Sequence, residues 1–438
     1  MGSDVVYASG YSVLSGSCVI PTSKSHTMRA LFFATLARGV SQIHHPLSSP
    51  DTTAMIAACA QFGAQVDVHA DRLEVTGVAG APSTPTDVID AGNSGQVLRF
   101  MACLAGLQPH YVVITGDHSI RTARPVSPLI TGLPQLGMRC DSLCENGLAP
   151  LILKGPMQAG TVRLVGRDSQ PVSGLLMTLP FVAGESVVCV EDAGERPWID
   201  LTLSWLDRLS LPYQRTGYAR YIISGGQSID GFAYTVPGDL SSLAFPLAAA
   251  LITRSAVVIH SVDLDDAQGD GAIVDCFKRM GAAIEYDAAT HQLTVLTSGQ
   301  LTGIDIDIND MVDSLPILAV VGCYAQGRMR LSGAAIARQK ESNRIEVMVD
   351  ALKQMGAEIT AHADGLTVQA SPLHGANLSS HADHRVAMAL LVAGLGARGT
   401  TRVRGAACID KSFPDFLSVM QRLGAQIEGE TPQEAARA

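Results

Sequence analysis

The sequence predicts an α/β protein of two domains, each assembled from three copies of one βαβαββ-type unit. Three observations predict it. A chain of 438 residues is too long for a single hydrophobic core. A polar word that opens an apolar run recurs at Ser23, Asn93, Ser169, Ser241, Asp313 and Asp383, at intervals of 70, 76, 72, 72 and 70 residues. Most units then carry a Gly-Ala or Gly-Met dipeptide about 40 residues further on, at Gly63-Ala64, Gly137-Met138, Gly281-Ala282, Gly356-Ala357 and Gly424-Ala425. In the third unit this word is degraded to Ser210-Leu211.

Each part of the unit follows from local pattern. The first begins with Ser23-Lys24-Ser25-His26-Thr27-Met28-Arg29 and runs into Ala30-Leu31-Phe32-Phe33-Ala34-Thr35-Leu36-Ala37 before a stop at Arg38-Gly39. A helix that is apolar nearly all round has to be buried, so its polar start must open onto a cleft. The equivalent runs at 98–104, 175–179, 243–248, 315–320 and 386–391 read the same way. A short strand follows (112–114, 187–190 and 256–259 are examples), then an amphipathic helix such as 343–355 that ends at the Gly word. Two short strands close the unit, as at 65–68 and 72–75. Three units per domain place the buried helices inside and the sheets outside. The first domain is expected at 21–237 and the second at 1–20 plus 238–438, with a two-strand hinge near 20–22 and 237–240. Helix starts related by rotation point the same way. Two facing domains would aim six of them at one cleft, each with about half a positive charge, which describes an anion site.

Composition narrows the partners. A net charge of −10 and 5% aromatics speak against nucleic acid. The longest apolar runs, 243–253 and 315–325, are too short to span a bilayer. No basic region followed by an apolar one marks a secretory leader, and Val6 breaks the myristoylation pattern. Nine scattered cysteines suit a reducing cytoplasm; Cys140 and Cys144 form the one close pair, and no metal set completes it. A cytoplasmic monomer without metal is expected.

The cations are informative by position. Arg124-Pro125, Lys340-Glu341-Ser342-Asn343-Arg344 and Lys411-Ser412-Phe413-Pro414 put positive charge at helix starts, where the dipole disfavours it by a few tenths to about 1 kcal/mol. Lys24, Arg29 and Asp383-His384-Arg385 add to the set. One such cation is ordinary solvated surface; the pattern calls for strongly anionic ligands, two rather than one. Asp313 at the fifth helix start, Glu341 among cations, His384 and Lys24 are the available proton-transfer groups, although either acid alone is equally well a charge balancer.

Together these words, with Pro21-Thr22-Ser23-Lys24-Ser25, Gly92-Asn93-Ser94-Gly95, Asp168-Ser169-Gln170 and Gly238-Asp239-Leu240-Ser241-Ser242, resemble the 5-enolpyruvylshikimate-3-phosphate (EPSP) synthase family over essentially the whole chain and in the same order. The resemblance implies a two-domain inside-out α/β barrel and transfer of the enolpyruvyl group of phosphoenolpyruvate to the 5-hydroxyl of shikimate-3-phosphate, with no metal or organic cofactor. It implies that Lys24, Ser25, Arg29, Ser169, Gln170, Asp313 and Lys340 hold shikimate-3-phosphate. Lys24, Gly95, Arg124, Gln170, Arg344, Arg385 and Lys411 hold phosphoenolpyruvate. Asp313 takes the hydroxyl proton; Glu341, with Lys24 or His384 as the other candidates, delivers a proton to the methylene carbon and later removes one.

The chain departs from the family pattern at Thr22 (usually Gly), Gln96 (Thr), Phe100 (Pro), Asp168 and Glu195 (Ser), Trp198 (Tyr) and Ile336 (Asn). Asp168, Glu195 and Ile336 fall around the expected 3-phosphate and imply rewired contacts or an acceptor without that phosphate, rewiring being favoured because Arg29, Asp313 and Lys340 are intact. Gln96 and Phe100 predict weak inhibition by glyphosate. The sister transferase acting on UDP-N-acetylglucosamine carries a Cys in the loop before the Arg124 position, and Gly116-Asp117-His118-Ser119-Ile120-Arg121-Thr122-Ala123 has none. An RNA-end-processing or RNA-binding protein on related repeats is disfavoured by charge. A Walker-type kinase is excluded by its missing Gly-x-x-x-x-Gly-Lys word.

Overall fold

The repeated glycines are helix stops. In the computed structural model, which describes residues 5–297 and 299–430, Gly63, Gly137, Gly281, Gly356 and Gly424 follow helical segments with φ between 80° and 101°. A side chain is costly in that left-handed conformation. Ser210 takes the same place after the helix Arg196–Arg208 with φ 55°. The degraded word keeps the geometry and bears the strain.

Between these stops the described residues form six four-stranded sheets. One unit shows the pattern. Asp305–Asp307 passes through the buried helix Leu315–Tyr324 into the parallel strand Arg328–Ser332. The amphipathic helix Arg344–Gln354 leads to the hairpin Ile359–His362 and Gly365–Gln369, whose second strand pairs antiparallel with Arg328–Ser332. The same βαβαββ order builds the sheets that contain Tyr111–Thr115 and Glu185–Glu191. Elsewhere the lead strand is borrowed: Ala233–Thr235 pairs parallel with Val40–His44, and Ser17–Val19 with Val257–His260. In the sixth sheet Val6–Gly10 lies antiparallel between Thr401–Arg404 and Gln426–Glu430, with Tyr7 opposite both Val403 and Gly429.

The chain divides into two compact units, one from Thr22 to Val236, the other up to Pro21 and again from Pro237. Each has its own core. In the first the core helices are Lys24–Leu36, Gly95–Leu104 and Ser169–Thr178; in the second they are Leu240–Ile252, Leu315–Tyr324 and His384–Gly396. Leu240–Ile252 is buried from Leu240 through Leu251, so no polar face exists to be solvated. Each buried Leu or Phe contributes about 1.5–3 kcal/mol. Gly174 lets two core helices touch: a Cβ there would lie 2.9 Å from Cys103 Sγ and 3.1 Å from the Arg99 carbonyl oxygen.

Five of these helices are capped by side chains of the recurring polar words. Ser23, Ser94, Asp168, Asp239 and Asp383 accept from backbone N–H groups in the first turn. The helix Leu315–Tyr324 differs. Asp313 lies in the preceding 3-10 segment Asn309–Ser314, and no side chain caps the helix. The expected dipole partner is turned to another use.

Candidate active site

In the unit from Thr22 to Val236, three core-helix starts carry the predicted ligands Lys24, Ser25, Arg29, Gly95, Ser169 and Gln170, with Arg124 on a following loop. Lys24 Nζ lies 3.3 Å from Asp51 Oδ2, a buried carboxylate in the first turn of the helix Pro50–Gln61. Ser25 Oγ accepts from Gln96 Nε2 at 3.2 Å. Arg29 is 1% exposed. Its Nε and Nη2 donate to Thr202 Oγ1 at 3.0 and 2.9 Å, Nη2 to the Trp198 carbonyl at 3.0 Å and Nη1 to the Ser25 carbonyl at 3.1 Å. The Phe100 ring centroid lies 5.4 Å from its guanidinium carbon. None of these partners is a carboxylate, and burial pushes the guanidinium pKa down. The guanidinium is thus a desolvated cation whose hydrogen bonds to Thr202, Trp198 and Ser25 all go to neutral groups.

Gly95, Arg124 and Gln170 are drawn together around Arg99. A Cβ at Gly95 would lie 2.7 Å from Arg99 Nη1, 3.0 Å from Arg124 Nη1 and 3.1 Å from Gln170 Oε1. Arg99 was not singled out in the sequence. The available signal was a cation inside the buried run Leu98-Arg99-Phe100-Met101, where a polar residue needs a reason. The departures also have places. Glu195 is buried with φ 48° and accepts from Ser169 N at 3.2 Å and Ser169 Oγ at 3.4 Å. Asp168 pairs with Arg99 at 3.0 Å. Ile336 packs against the other unit's core.

In that second unit the remaining ligands form one ion network. Arg344, 1% exposed, holds three carboxylates: Asp313 at 2.7 Å, Glu341 at 2.9 Å and Asp383 at 2.8 Å. Arg385 Nη2 binds the other Asp313 oxygen at 2.9 Å and donates to Ser241 Oγ at 2.9 Å. Lys411 Nζ meets Glu341 Oε1 at 2.7 Å. Ser342 Oγ donates to Asp383 Oδ2 at 3.1 Å. His384 is buried, its Nδ1 3.9 Å from Asp383 Oδ1. Burial works against an ionised Asp313, but Arg385, Arg344 and Lys340 outweigh it and hold its carboxyl well below the usual range. For Arg344 burial is likewise overcome, by Asp383, Glu341 and Asp313, which keep it protonated. Asp383, read in the sequence only as part of a word, lies beneath the Arg344 guanidinium, and it also caps the helix that carries His384 and Arg385. Among the described residues no group of three or more His, Cys, Asp or Glu is placed to hold a metal ion.

With this geometry in hand, comparison with known proteins gives consistent results. A family model described as EPSP synthase (3-phosphoshikimate 1-carboxyvinyltransferase) matches residues 9–420. A 3-phosphoshikimate 1-carboxyvinyltransferase of Acetivibrio thermocellus is 40% identical over 413 residues, covering 94% of this chain and 97% of the relative. One from Chlamydia caviae is 38% identical over 426 residues, covering 97% and 95%. The solved structure of an EPSP synthase from Acinetobacter baumannii superposes with a TM-score of 0.80 at 27% identity, covering 97% of this chain and 100% of that one.

Proposed function

We infer the roles of individual side chains from one premise: the chain belongs to the EPSP synthase family. It transfers the enolpyruvyl group of phosphoenolpyruvate to the 5-hydroxyl of shikimate-3-phosphate, giving 5-enolpyruvylshikimate-3-phosphate and phosphate. Lys24, Ser25, Arg29, Ser169, Gln170, Asp313 and Lys340 hold the acceptor. Lys24, Gly95, Arg124, Gln170, Arg344, Arg385 and Lys411 hold phosphoenolpyruvate. At 4 Å one cation–anion pair is worth about 4 kcal/mol at an effective dielectric near 20, so several are needed to clamp two mutually repelling anions in attack geometry.

The network of Arg344, Arg385 and Lys411 with Asp313 and Glu341 carries this reading. Each of these three cations, all assigned to phosphoenolpyruvate, already holds a carboxylate assigned to proton transfer. While Arg344 and Arg385 hold Asp313 it is a weak base. Phosphoenolpyruvate brings its own carboxylate and phosphate to those guanidiniums and frees Asp313 to accept the 5-hydroxyl proton. The oxygen then bonds to C2 while the methylene carbon gains a proton from Glu341, which takes it up from the Lys411 ammonium 2.7 Å away; Lys24 and His384 are the other donors to test. The tetrahedral adduct loses that proton and phosphate, restoring the double bond. The preorganised cations meet charge as it develops.

A phosphate-release assay with phosphoenolpyruvate tests this. Turnover is expected with shikimate-3-phosphate, and little with shikimate or UDP-N-acetylglucosamine. Equal turnover of shikimate would mean that Asp168, Glu195 and Ile336 mark an acceptor without the 3-phosphate. A second expectation concerns glyphosate, which competes with phosphoenolpyruvate in this family. Gln96, tied to Ser25, and Phe100, packed on Arg29, replace Thr and Pro behind Gly95. Inhibition is expected to be weaker than in enzymes with Thr and Pro there; an inhibition constant as low as theirs would refute it. The nine free cysteines support a cytoplasmic setting, and the net charge of −10 speaks against nucleic-acid partners. Among the described residues no helix is long and apolar enough to cross a membrane.

A further inference from the structure

Asp168 uses its two carboxylate oxygens for different tasks. Oδ1 accepts from Gln170 N at 3.0 Å and caps the helix Ser169–Thr178. Oδ2 lies 3.0 Å from Arg99 Nη2, on a guanidinium that the neighbouring core helix holds almost wholly buried. Arg99 Nη2 also donates to the Pro125 carbonyl at 3.0 Å, and Nη1 donates to the Gly95 carbonyl at 3.4 Å and Gln170 Oε1 at 3.2 Å. One buried cation thus ties Gly95, the residue after Arg124 and the side chain of Gln170. A carboxamide has an acceptor end and a donor end. With Oε1 turned to Arg99, the donor end faces away from it, and only donors recognise an anion. Lack of a side chain at Gly95 is what permits this, since a Cβ would lie 2.7 Å from Arg99 Nη1.

We propose that Asp168 and Arg99 are positioning residues that hold the Gln170 amide with its N–H groups presented to phosphoenolpyruvate, Asp168 supplying the charge that keeps Arg99 in this structural task. The inference rests on the assignment of Gly95, Arg124 and Gln170 to phosphoenolpyruvate. It explains why a carboxylate replaces the usual serine at this helix start without abolishing the anion site: its charge is spent on Arg99.

Steady-state kinetics on two variants test it. Asp168→Ser keeps a capping oxygen and removes the charge. It is expected to raise KM for phosphoenolpyruvate by about tenfold to a hundredfold, the size of one charge-assisted hydrogen bond, with KM for shikimate-3-phosphate, which Gln170 holds together with six other residues, rising by a clearly smaller factor. Gln170→Glu offers Arg99 a carboxylate, so its thermal midpoint is expected not to fall. It removes the donors, so KM for phosphoenolpyruvate should rise at least as far. A phosphoenolpyruvate KM unchanged within about twofold in either variant, or a rise in KM for shikimate-3-phosphate equal to that for phosphoenolpyruvate in Asp168→Ser, overturns the proposal. The native chain is the control: failure to turn over shikimate-3-phosphate would sink the functional reading itself, and this inference with it.

Discussion

Asp313→Asn is expected to lower kcat by about 10²–10⁴-fold, the range over which a positioned general base contributes, while binding phosphoenolpyruvate more tightly. The loss follows from removing the acceptor of the 5-hydroxyl proton. The gain follows from the ion network, because Asp313 competes with the substrate for Arg344 at 2.7 Å and Arg385 at 2.9 Å. Calorimetric titration of phosphoenolpyruvate in the presence of shikimate-3-phosphate measures the second effect; weaker binding in the variant would show that Asp313 is not the resident competitor. The pH dependence has a definite sign. The folded-state pKa of Asp313 lies below its unfolded value, because the surrounding cations overcome its burial. The stability it contributes is therefore fully present above about pH 4 and is lost as pH falls further through the folded value. Asp313→Asn should flatten that acid limb of the stability curve. The fall in kcat/KM between neutral pH and about pH 5 must come from another group and should keep its midpoint in the variant.

Arg344→Met is expected to cost about 3–5 kcal/mol of folding free energy, because it strips one cation from three carboxylates at once, Asp383 among them fully buried. A hydrophobic side chain of similar length fills the volume, so the loss reports charge rather than a cavity. Denaturant titration of the purified variant reads it directly. A midpoint within about 0.5 kcal/mol of native, the usual range of a surface substitution, would mean that the carboxylates find other partners and that Arg344 is not the keystone. Turnover should vanish with the fold intact at low temperature, since the same guanidinium is assigned to the substrate carboxylate.

Much of this was legible because the repeat writes the same physical requirement six times. A glycine about 40 residues after each polar word is the signature of a left-handed helix stop, and the structure gives all five such glycines positive φ, with Ser210 in the sixth place. Capping followed from Ser and Asp at helix starts, and Asp313 was the exception. From the sequence it reads as a dipole partner; in the fold its charge is taken by arginines 31 and 72 positions further along. Spacing exposes Glu341 with Arg344, three residues apart on one turn, and cannot expose Lys411, seventy residues on. Arg99 was hidden differently. It sits inside an apolar word whose periodicity reads as core, and its polar partners come from two other places in the chain, Pro125 and the Asp168-Ser169-Gln170 word.

The insertion of Val6–Gly10 between Thr401–Arg404 and Gln426–Glu430 has a consequence for biogenesis. The strand is synthesised long before both of its neighbours. The Thr22–Val236 unit is complete as soon as one continuous stretch has been made, and domains generally fold in that vectorial order. Its companion must wait for Thr401–Arg404 and Gln426–Glu430 to return to Val6–Gly10, with the ladder edges of an unfinished sheet exposed meanwhile. Closing a loop of nearly the whole polypeptide costs little more entropy than closing half of it, because the penalty grows only logarithmically. The delay is set by synthesis, and the early-made unit spans the interval as a finished body in the nascent chain.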